Sequence, residues 1–293
     1  MPRLTMALAI SVVALCLSGV PHASAAAPPQ VTPDAQVSPG DCGRKLNKPG
    51  GGSWACTFVD NFTGTSLDRT KWLPQIYYGT GTPESRSCNV DDPNNVAVGG
   101  GHLQLTVRKV ATPVQCSGMP ANYTSASVST YKIFSQQYGR FEARMKVHAT
   151  RGAVPGLQEA FWLWPDVRVP SDVEWPEAGE IDIAELYSQY NRLAVPFLHY
   201  TANNNGGPIP GVNTAYCAAS RGRFVTYTLI WTPSTLTIQV NGRTCLVNSS
   251  GDPAFQKPYI LVFSSMLGVG ANALTAKTPI PATMRVDWVK VWS

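Results

Sequence analysis

Apolar and polar residues alternate along several short stretches of the chain, and this period of two predicts β-strands. Residues 102–108 place their leucines and valine on one face, because successive side chains of a strand point to opposite faces. Residues 139–147 alternate in the same way, with Phe141, Ala143 and Met145 on the inward side. No long segment shows a sustained period of 3.6 residues, so we expect strands and turns rather than helices.

The C-terminal half continues this pattern. Residues 226–231 and 235–240 have the composition of two strands, and the Asn241-Gly242 pair that follows is a strong signal for a hairpin turn. A last strand covers residues 284–292. Short strands at this spacing, with no helices between them, predict an all-β fold, namely a β jelly roll sandwich of two antiparallel sheets.

Composition agrees with many short strands and excludes some partners. The chain has 293 residues, which suits one large β domain, and its 25 glycines and 24 prolines favour turns. The net charge of +5 is a mild excess for a domain of this size, so we expect no nucleic-acid partner. No apolar run is long enough to span a membrane, so we expect no membrane partner either.

The N-terminus has the features of an export signal. Arg3 gives a positive start, an apolar stretch follows over residues 8–20, and the Ala-Ser-Ala tripeptide at residues 23–25 is a small-residue cleavage site. We therefore expect a secreted protein whose signal peptide is cleaved near Ala25. The expected boundaries are 1–25 for the signal peptide, 26–41 for an Ala- and Pro-rich flexible leader, and 42–293 for the folded domain.

Six cysteines remain after removal of that signal. An even number in an exported chain predicts disulfides, although six cysteines allow 15 pairings. We expect neighbours along the chain to pair, since such bonds tie adjacent turns and strands together. The expected pairs are Cys42–Cys56, Cys88–Cys116 and Cys217–Cys245.

The chemistry of the chain is concentrated in one run, Glu-Ile-Asp-Ile-Ala-Glu over residues 180–185. On a regular strand Glu180 and Asp182 share a face, while Glu185 falls on the opposite face among the isoleucines. A β-bulge at Ile183-Ala184 inserts one extra residue and returns Glu185 to the acidic face. The run therefore predicts three carboxylates in a row on one face of a strand.

Such a run has three readings. It could be a solvated strand edge, a calcium site built from oxygen ligands, or the pair of glutamates that breaks a glycosidic bond. Aromatic residues flank it, with Trp162, Trp164 and Trp175 upstream and Tyr187 after it. Aromatic faces beside paired carboxylates suit the stacking of sugar rings, so the flanks favour the third reading.

The chain resembles glycoside hydrolase family 16, in the laminarinase or endo-1,3-β-glucanase branch with a bulged active-site strand. The most specific match is Trp-Pro-Glu-Ala-Gly-Glu-Ile-Asp-Ile-Ala-Glu over residues 175–185. Stretches at residues 58–68, 138–144 and 285–292 support it, and the resemblance covers residues 54–293. It implies a β jelly roll with a sugar-binding cleft across its concave sheet.

The resemblance also implies the catalytic roles. Glu180 would be the nucleophile, Glu185 the general acid/base and Asp182 their helper. In retaining glycosidases the two catalytic carboxyl groups lie about 5–5.5 Å apart. Three carboxylates in one cleft cannot all ionise freely, so we expect a raised pKa at Glu185, which must start protonated.

The same resemblance assigns residues to substrate binding. It implies that Trp175 packs against the sugar beside the nucleophile and that Trp162 is a second cleft tryptophan. His199 would contact the acid/base or an acceptor sugar, and Asn95 would hydrogen-bond sugar hydroxyls.

Three departures from the family pattern matter, the first being Ser127, which stands where the family often has an arginine. Gln158 stands where glucanases carry a tryptophan, so the stacking platform is missing or supplied elsewhere. Asn61 replaces a glutamate that often joins a structural calcium site with the aspartate matched by Asp287. We expect no organic cofactor, and a structural calcium ion at Asp287 stays open.

We therefore expect a secreted, monomeric, retaining endo-β-glycosidase whose partner is a polysaccharide or oligosaccharide. A β-1,3- or mixed-linkage glucan is the first choice of substrate. Three alternatives stay open: a catalytically silent carbohydrate-binding protein, a transglycosylase, and a galactan hydrolase of the same fold. The presence of Glu180, Asp182 and Glu185 together argues against the silent protein.

Overall fold

The computed structural model describes residues 41–169, 171–202, 207–214 and 216–293. The expected signal peptide and nearly all of the expected leader lie outside these residues. No helix in the described part of the chain has the length and apolar character needed to cross a membrane.

The described residues form strands joined by turns and three short 3-10 helices. The strands are β1 (Cys56–Asp60), β2 (Leu73–Pro74), β3 (Gly79–Thr80), β4 (Ser87–Asn89), β5 (Val96–Gly99), β6 (His102–Cys116), β7 (Met119–Ser129), β8 (Gly139–Lys146), β9 (Leu157–Pro165), β10 (Glu180–Tyr187), β11 (Leu193–His199), β12 (Cys217–Ala218), β13 (Val225–Trp231), β14 (Leu236–Val240), β15 (Arg243–Asn248), β16 (Tyr259–Leu267) and β17 (Ala282–Trp292). The 3-10 helices are η1 (Pro83–Ser85), η2 (Pro253–Phe255) and η3 (Gly270–Asn272).

The strands form two antiparallel sheets. The first, which we call the cleft sheet, has the order β2–β7–β16–β9–β10–β11. The second, the outer sheet, has β17 at its centre, with β8, β13, β14 and β15 on one side and β1, β6 and β5 on the other. This arrangement confirms the predicted jelly roll sandwich.

The long hairpin of β6 and β7 connects the two sheets. The first half of β6 pairs with β17 in the outer sheet, and its second half pairs with β7. The last residues of β7 then pair with β16 in the cleft sheet. The middle of β7, at residues 123–125, also pairs with β4 in parallel, whereas the other pairings between described strands are antiparallel.

The core lies between the sheets and is built from the alternate residues of their strands. Phe141, Ala143 and Met145 of β8 are buried, as their spacing predicts. From the cleft sheet, Ile181 and Ile183 of β10 join the same cluster. Burying a side chain of this size stabilises the fold by about 1.5–3 kcal/mol, so the inward faces hold the two sheets together.

Local features of the sequence are also confirmed. Asn241 and Gly242 both have positive φ angles, 49° and 76°, as a two-residue turn between β14 and β15 requires. The three disulfides join the neighbouring cysteines as expected: Cys42–Cys56, Cys88–Cys116 and Cys217–Cys245.

The carboxylates expected near a calcium ion at Asp287 have protein partners in the structure. Its carboxylate lies on β17, accepts a hydrogen bond from the guanidinium of Arg144 and faces His102 Nε2 at 3.9 Å. The carboxylate of Asp60, which precedes Asn61, accepts hydrogen bonds from the backbone of Phe62 and from the indole of Trp72. A cationic partner at Asp287 and two N–H donors at Asp60 do not fit a calcium ion, which needs several free oxygen ligands.

Candidate active site

The predicted bulge is present in β10. Against β9, Asp182 pairs with Trp162 and Ala184 pairs with Phe161, so Ile183 is the extra residue without a partner. The register against β11 breaks between Asp182 and Glu185. The bulge therefore brings Glu185 to the same face as Asp182, as the sequence run indicates.

The three carboxylates line the cleft side of β10, while the residues between them enter the core. Asp182 and Glu185 are only 4% and 8% exposed, and Glu180 is half-buried. Ile181 and Ile183 are fully buried on the opposite side. The apolar anchor fixes the strand, and the acidic residues are held at the surface of the cleft sheet.

Glu180 is held by a tryptophan from the loop before β10. The indole Nε1 of Trp175 donates a hydrogen bond of 2.7 Å to Glu180 Oε2. The chain reaches β10 through Gly179 at φ 92°, where an added Cβ would collide with the hydroxyl of Tyr259. Glycine is therefore required at this turn, which sets the position of Trp175 against Glu180.

Asp182 is paired with a histidine from the neighbouring strand. His199 is the register partner of Glu180, and its Nε2 lies 3.2 Å from Asp182 Oδ2. Its ring stacks on Phe197 with 4.2 Å between centroids. Burial lowers the pKa of His199, so the neutral imidazole is favoured and a proton on Nε2 can be donated to Asp182.

Glu185 receives two neutral donors. The side-chain amide of Gln158 on β9 donates a hydrogen bond of 2.8 Å to Glu185 Oε1. The hydroxyl of Tyr187 on β10 is also hydrogen-bonded to this carboxylate. In the sequence, Gln158 differs from the family pattern only by replacing a tryptophan. Its contact with Glu185 depends on the register of β9 against β10, which the sequence does not show.

The pKa values of all three carboxylates are raised, not that of Glu185 alone. Burial and the charge of Asp182 raise the pKa of Glu180 to about 8. Burial and the charge of Glu185 raise the pKa of Asp182 well above its usual value. Burial raises the pKa of Glu185, although the hydrogen bonds from Tyr187 and Gln158 oppose the rise. The cluster therefore keeps protons into the neutral range and titrates as a coupled set.

A cleft of about 540 Å³ extends from Glu180 across the cleft sheet. Its walls carry Trp162, Trp164 and Trp175, which the sequence had indicated, and also Tyr78 and Tyr131. Trp162 is oriented by a hydrogen bond of 3.2 Å from its Nε1 to Ser264. Aromatic rings beside a buried carboxylate cluster form a surface on which sugar rings can stack.

A second hollow of about 440 Å³ lies beside the end of β10 and along β11. Tyr187 of β10 and Val195 and Phe197 of β11 form part of its lining. Glu180 lines the first cleft, whereas the Glu185 partner Tyr187 lines the second hollow. The acidic cluster thus lies between two spaces.

Comparison with known proteins identifies the family. The sequence model of the Glycosyl hydrolases family 16 matches residues 84–290. The chain belongs to this family.

The names of the relatives of this chain refer to different polysaccharides. The chain is 28% identical over 253 residues to the "Beta-glucanase" of Rhodothermus marinus, covering 82% of this chain and 85% of that protein. It is 26% identical over 245 residues to the "Keratan-sulfate endo-1,4-beta-galactosidase" of Sphingobacterium multivorum, covering 80% and 54% respectively. The X-ray structure of the endo-beta-1,3-glucanase from Pyrococcus furiosus superimposes with a TM-score of 0.71 at 22% identity, covering 85% of this chain and 97% of that one.

Several relatives are much longer than this chain. It spans only 37–54% of the length of four of the curated relatives it matches. At 22% identity the structural match shows a shared fold.

The structure does not bring Asn95 to the cleft of this family 16 chain. Asn95 directly precedes β5 of the outer sheet, where its side-chain amide donates a hydrogen bond of 2.7 Å to the backbone oxygen of Thr106. The asparagine in the cleft wall is Asn89 of β4, whose Oδ1 accepts a hydrogen bond from Ser125. Both asparagine side chains are buried, so burial does not show which of them lies at the cleft. The position of each strand in the fold does.

Glu180, Asp182 and His199 each offer a ligand atom within 4.8 Å of the others. These atoms already have protein partners, since Trp175 donates to Glu180 and His199 contacts Asp182. We therefore assign no metal to this cluster.

Proposed function

We propose that this protein is a secreted, retaining endo-β-glycosidase that hydrolyses a β-1,3- or mixed-linkage glucan. The observation that carries the proposal is the bulged strand β10, which places Glu180, Asp182 and Glu185 on one face, with Glu180 lining an aromatic cleft. Membership of a family with glucanase relatives supports it. Three disulfides are consistent with export, because such bonds persist in oxidising compartments.

In the first step, Glu180 attacks the anomeric carbon while Glu185 gives its proton to the glycosidic oxygen. The bond between the anomeric carbon and the glycosidic oxygen breaks, and a glycosyl ester forms at Glu180. The loss of charge at Glu180 relieves its repulsion with Asp182. Trp175 Nε1, which donates to Glu180 in the free site, restricts the orientation of the attacking carboxylate.

In the second step, Glu185 is a carboxylate and acts as the base. It takes a proton from a water molecule, whose oxygen attacks the anomeric carbon and releases Glu180 as a carboxylate. Glu185 ends protonated, so one water molecule has been added across the bond and the site is regenerated. Two displacements at the same carbon give retention of its configuration.

The cleft favours a neutral sugar chain. Among the described residues that line it, Glu180 is the only charged one, and the walls are tryptophan, tyrosine and small polar side chains. A sulfated galactan would bring negative charge next to Glu180 without a basic side chain in the lining to balance it. This electrostatic argument favours a glucan, although a relative acts on keratan sulfate by its name.

The proposal is tested on a panel of laminarin, mixed-linkage β-glucan, neutral galactan and keratan sulfate, with the products separated by size. We expect internal cleavage of a β-glucan and no turnover of keratan sulfate. Glu180→Gln should abolish activity and leave the fold intact, because a neutral amide cannot act as the nucleophile. Glu84→Gln, at an exposed position of η1, is the matched control and should remain active.

Three results would contradict the proposal or change it. A folded protein that leaves every polysaccharide intact but binds one of them would be a recognition protein. Products longer than the starting oligosaccharide would indicate transglycosylation. Substantial activity in Glu180→Gln would show that Glu180 is not the nucleophile.

A further inference from the structure

The position of Gln158 suggests a role that the proposed function does not include. This residue lies on β9, and its register partner on β10 is Tyr187, two residues beyond Glu185. Its side chain points to the cleft side of the sheet, where the amide nitrogen lies 2.8 Å from Glu185 Oε1. The residue that departs from the family pattern is thus in direct contact with the proposed acid/base.

We propose that Gln158 is a positioning residue for the acid/base: its amide fixes the Glu185 carboxylate through Oε1 and stabilises the ionised form of that group. The inference rests on the proposed function, because it assigns a role relative to Glu185. An amide N–H can donate to a carboxylate, and a hydrogen bond to an ionised acceptor is stronger than one to a neutral acceptor. Gln158 therefore favours the state in which Glu185 acts as a base.

The surroundings of Glu185 make this donor important. Glu180 and Asp182 on the same strand bring negative charge that opposes ionisation, and both lie close enough to interact with Glu185. His199 faces it from β11, and Tyr187 donates from the same strand. Gln158 is the donor that β9 contributes, and it balances part of the repulsion from the other two carboxylates.

The backbone around Gln158 is also held firmly. The next residue, Glu159, is buried and forms an ion pair of 2.6 Å with Arg221. Arg221 also donates to the backbone oxygen of Leu186, which directly follows Glu185. The two strands that carry Gln158 and Glu185 are thus joined on the core side, so the amide and the carboxylate meet in a fixed geometry.

The test replaces the amide by an apolar group of similar size, Gln158→Leu. Loss of the donor disfavours the ionised form of Glu185, so Glu185 stays protonated to higher pH. We expect the alkaline limb of the kcat/KM profile to move up by about one pH unit. We expect kcat to fall about tenfold or more, with KM changed by less than about threefold.

A second measurement does not depend on turnover. In protein labelled with ¹³C at the glutamate carboxyl groups, the Glu185 signal is assigned by its absence in Glu185→Gln. Its titration midpoint should move up in Gln158→Leu and stay in place in Gln239→Leu, which removes a comparable amide on the outer sheet. If Gln158→Leu does not fold, as judged by the absence of a cooperative unfolding transition, Gln158→Met is used in its place.

The outcomes separate this inference from the proposed function. An unchanged Glu185 midpoint and an unchanged alkaline limb in a folded, active variant would overturn the role of Gln158 and leave the glycosidase intact. A wild-type protein that turns over no polysaccharide would remove the proposed function. In that case a shifted midpoint would still show that Gln158 stabilises the Glu185 carboxylate, whereas the role as acid/base would be lost.

Discussion

At the scale of single residues, the site depends on three buried carboxylates whose charges oppose one another. Asp182 lies between the other two in sequence and contacts His199 at 3.2 Å. Asp182→Asn removes one negative charge with little change of shape, which lowers the pKa of Glu185. We expect the alkaline limb of the pH–rate profile to move down and kcat to fall.

This prediction is checked by kcat/KM measured across pH for the wild type and Asp182→Asn. Asp91→Asn, at the surface where Asp91 pairs with Arg69, serves as a charge-matched control and should leave the limb unchanged. An alkaline limb that stays in place or moves up in Asp182→Asn would mean that Asp182 does not raise the proton affinity of Glu185. The direction is opposite to that expected for Gln158→Leu, so the two variants check each other.

The sequence alone identifies the site residues whose positions follow from a local pattern along one strand. Glu180, Asp182 and Glu185 follow from strand alternation and one bulge. The contact of Gln158 with Glu185 depends on the register between two strands, which no local pattern contains. Asn95 and Asn89 are six positions apart, and the choice between them requires knowing which sheet each strand joins.

At the scale of the elements, the bulge in β10 is the feature that sets the site. Ile183 is unpaired against β9, and the register of the pairs on its two sides differs by one residue. Deletion of Ala184 would leave Glu-Ile-Asp-Ile-Glu, a regular strand in which Glu180, Asp182 and Glu185 share a face by alternation alone. We expect this deletion to fold and to keep the carboxylates in the cleft.

Deletion of Leu186 provides the contrast. It removes a buried residue outside the bulge. A shift of one residue turns every later side chain of the strand to the opposite face, so Tyr187 would point toward the core. Circular dichroism and urea unfolding of both deletions check the prediction. Equal loss of structure in the two variants would contradict the view that the bulge is a single inserted residue.

At the scale of the whole molecule, a disulfide joins the edges of the two sheets. Cys217 lies on β12, which pairs with β11 of the cleft sheet, and Cys245 lies on β15 of the outer sheet. The bond closes a separation of 28 residues, so its removal should lower the free energy of unfolding by about 3–4 kcal/mol in the chain-entropy model.

Urea unfolding of the Cys217→Ala/Cys245→Ala variant measures this effect, with turnover recorded in parallel. We expect reduced stability and near-native activity under conditions where the variant is folded, because neither cysteine lines the cleft. A stability equal to that of the wild type would show that the edges of the sheets are held by packing alone.

The overall fold was predictable because its strands alternate regularly and end at recognisable turns. The disulfide pairs followed from proximity along the chain. The parallel pairing of β4 with β7 and the passage of β6 from one sheet to the other were not predictable. They depend on contacts between distant strands, and the apolar period is the same on either side of the crossing.

The central claim is that Glu180 and Glu185 of β10 act as the pair of a retaining glycosidase. The most direct measurement follows the anomeric configuration of the first product by ¹H NMR during digestion of a mixed-linkage β-glucan. A double displacement through Glu180 predicts that the β-anomer forms first and converts slowly to the equilibrium mixture. Initial formation of the α-anomer would show a single displacement by water and would contradict the account.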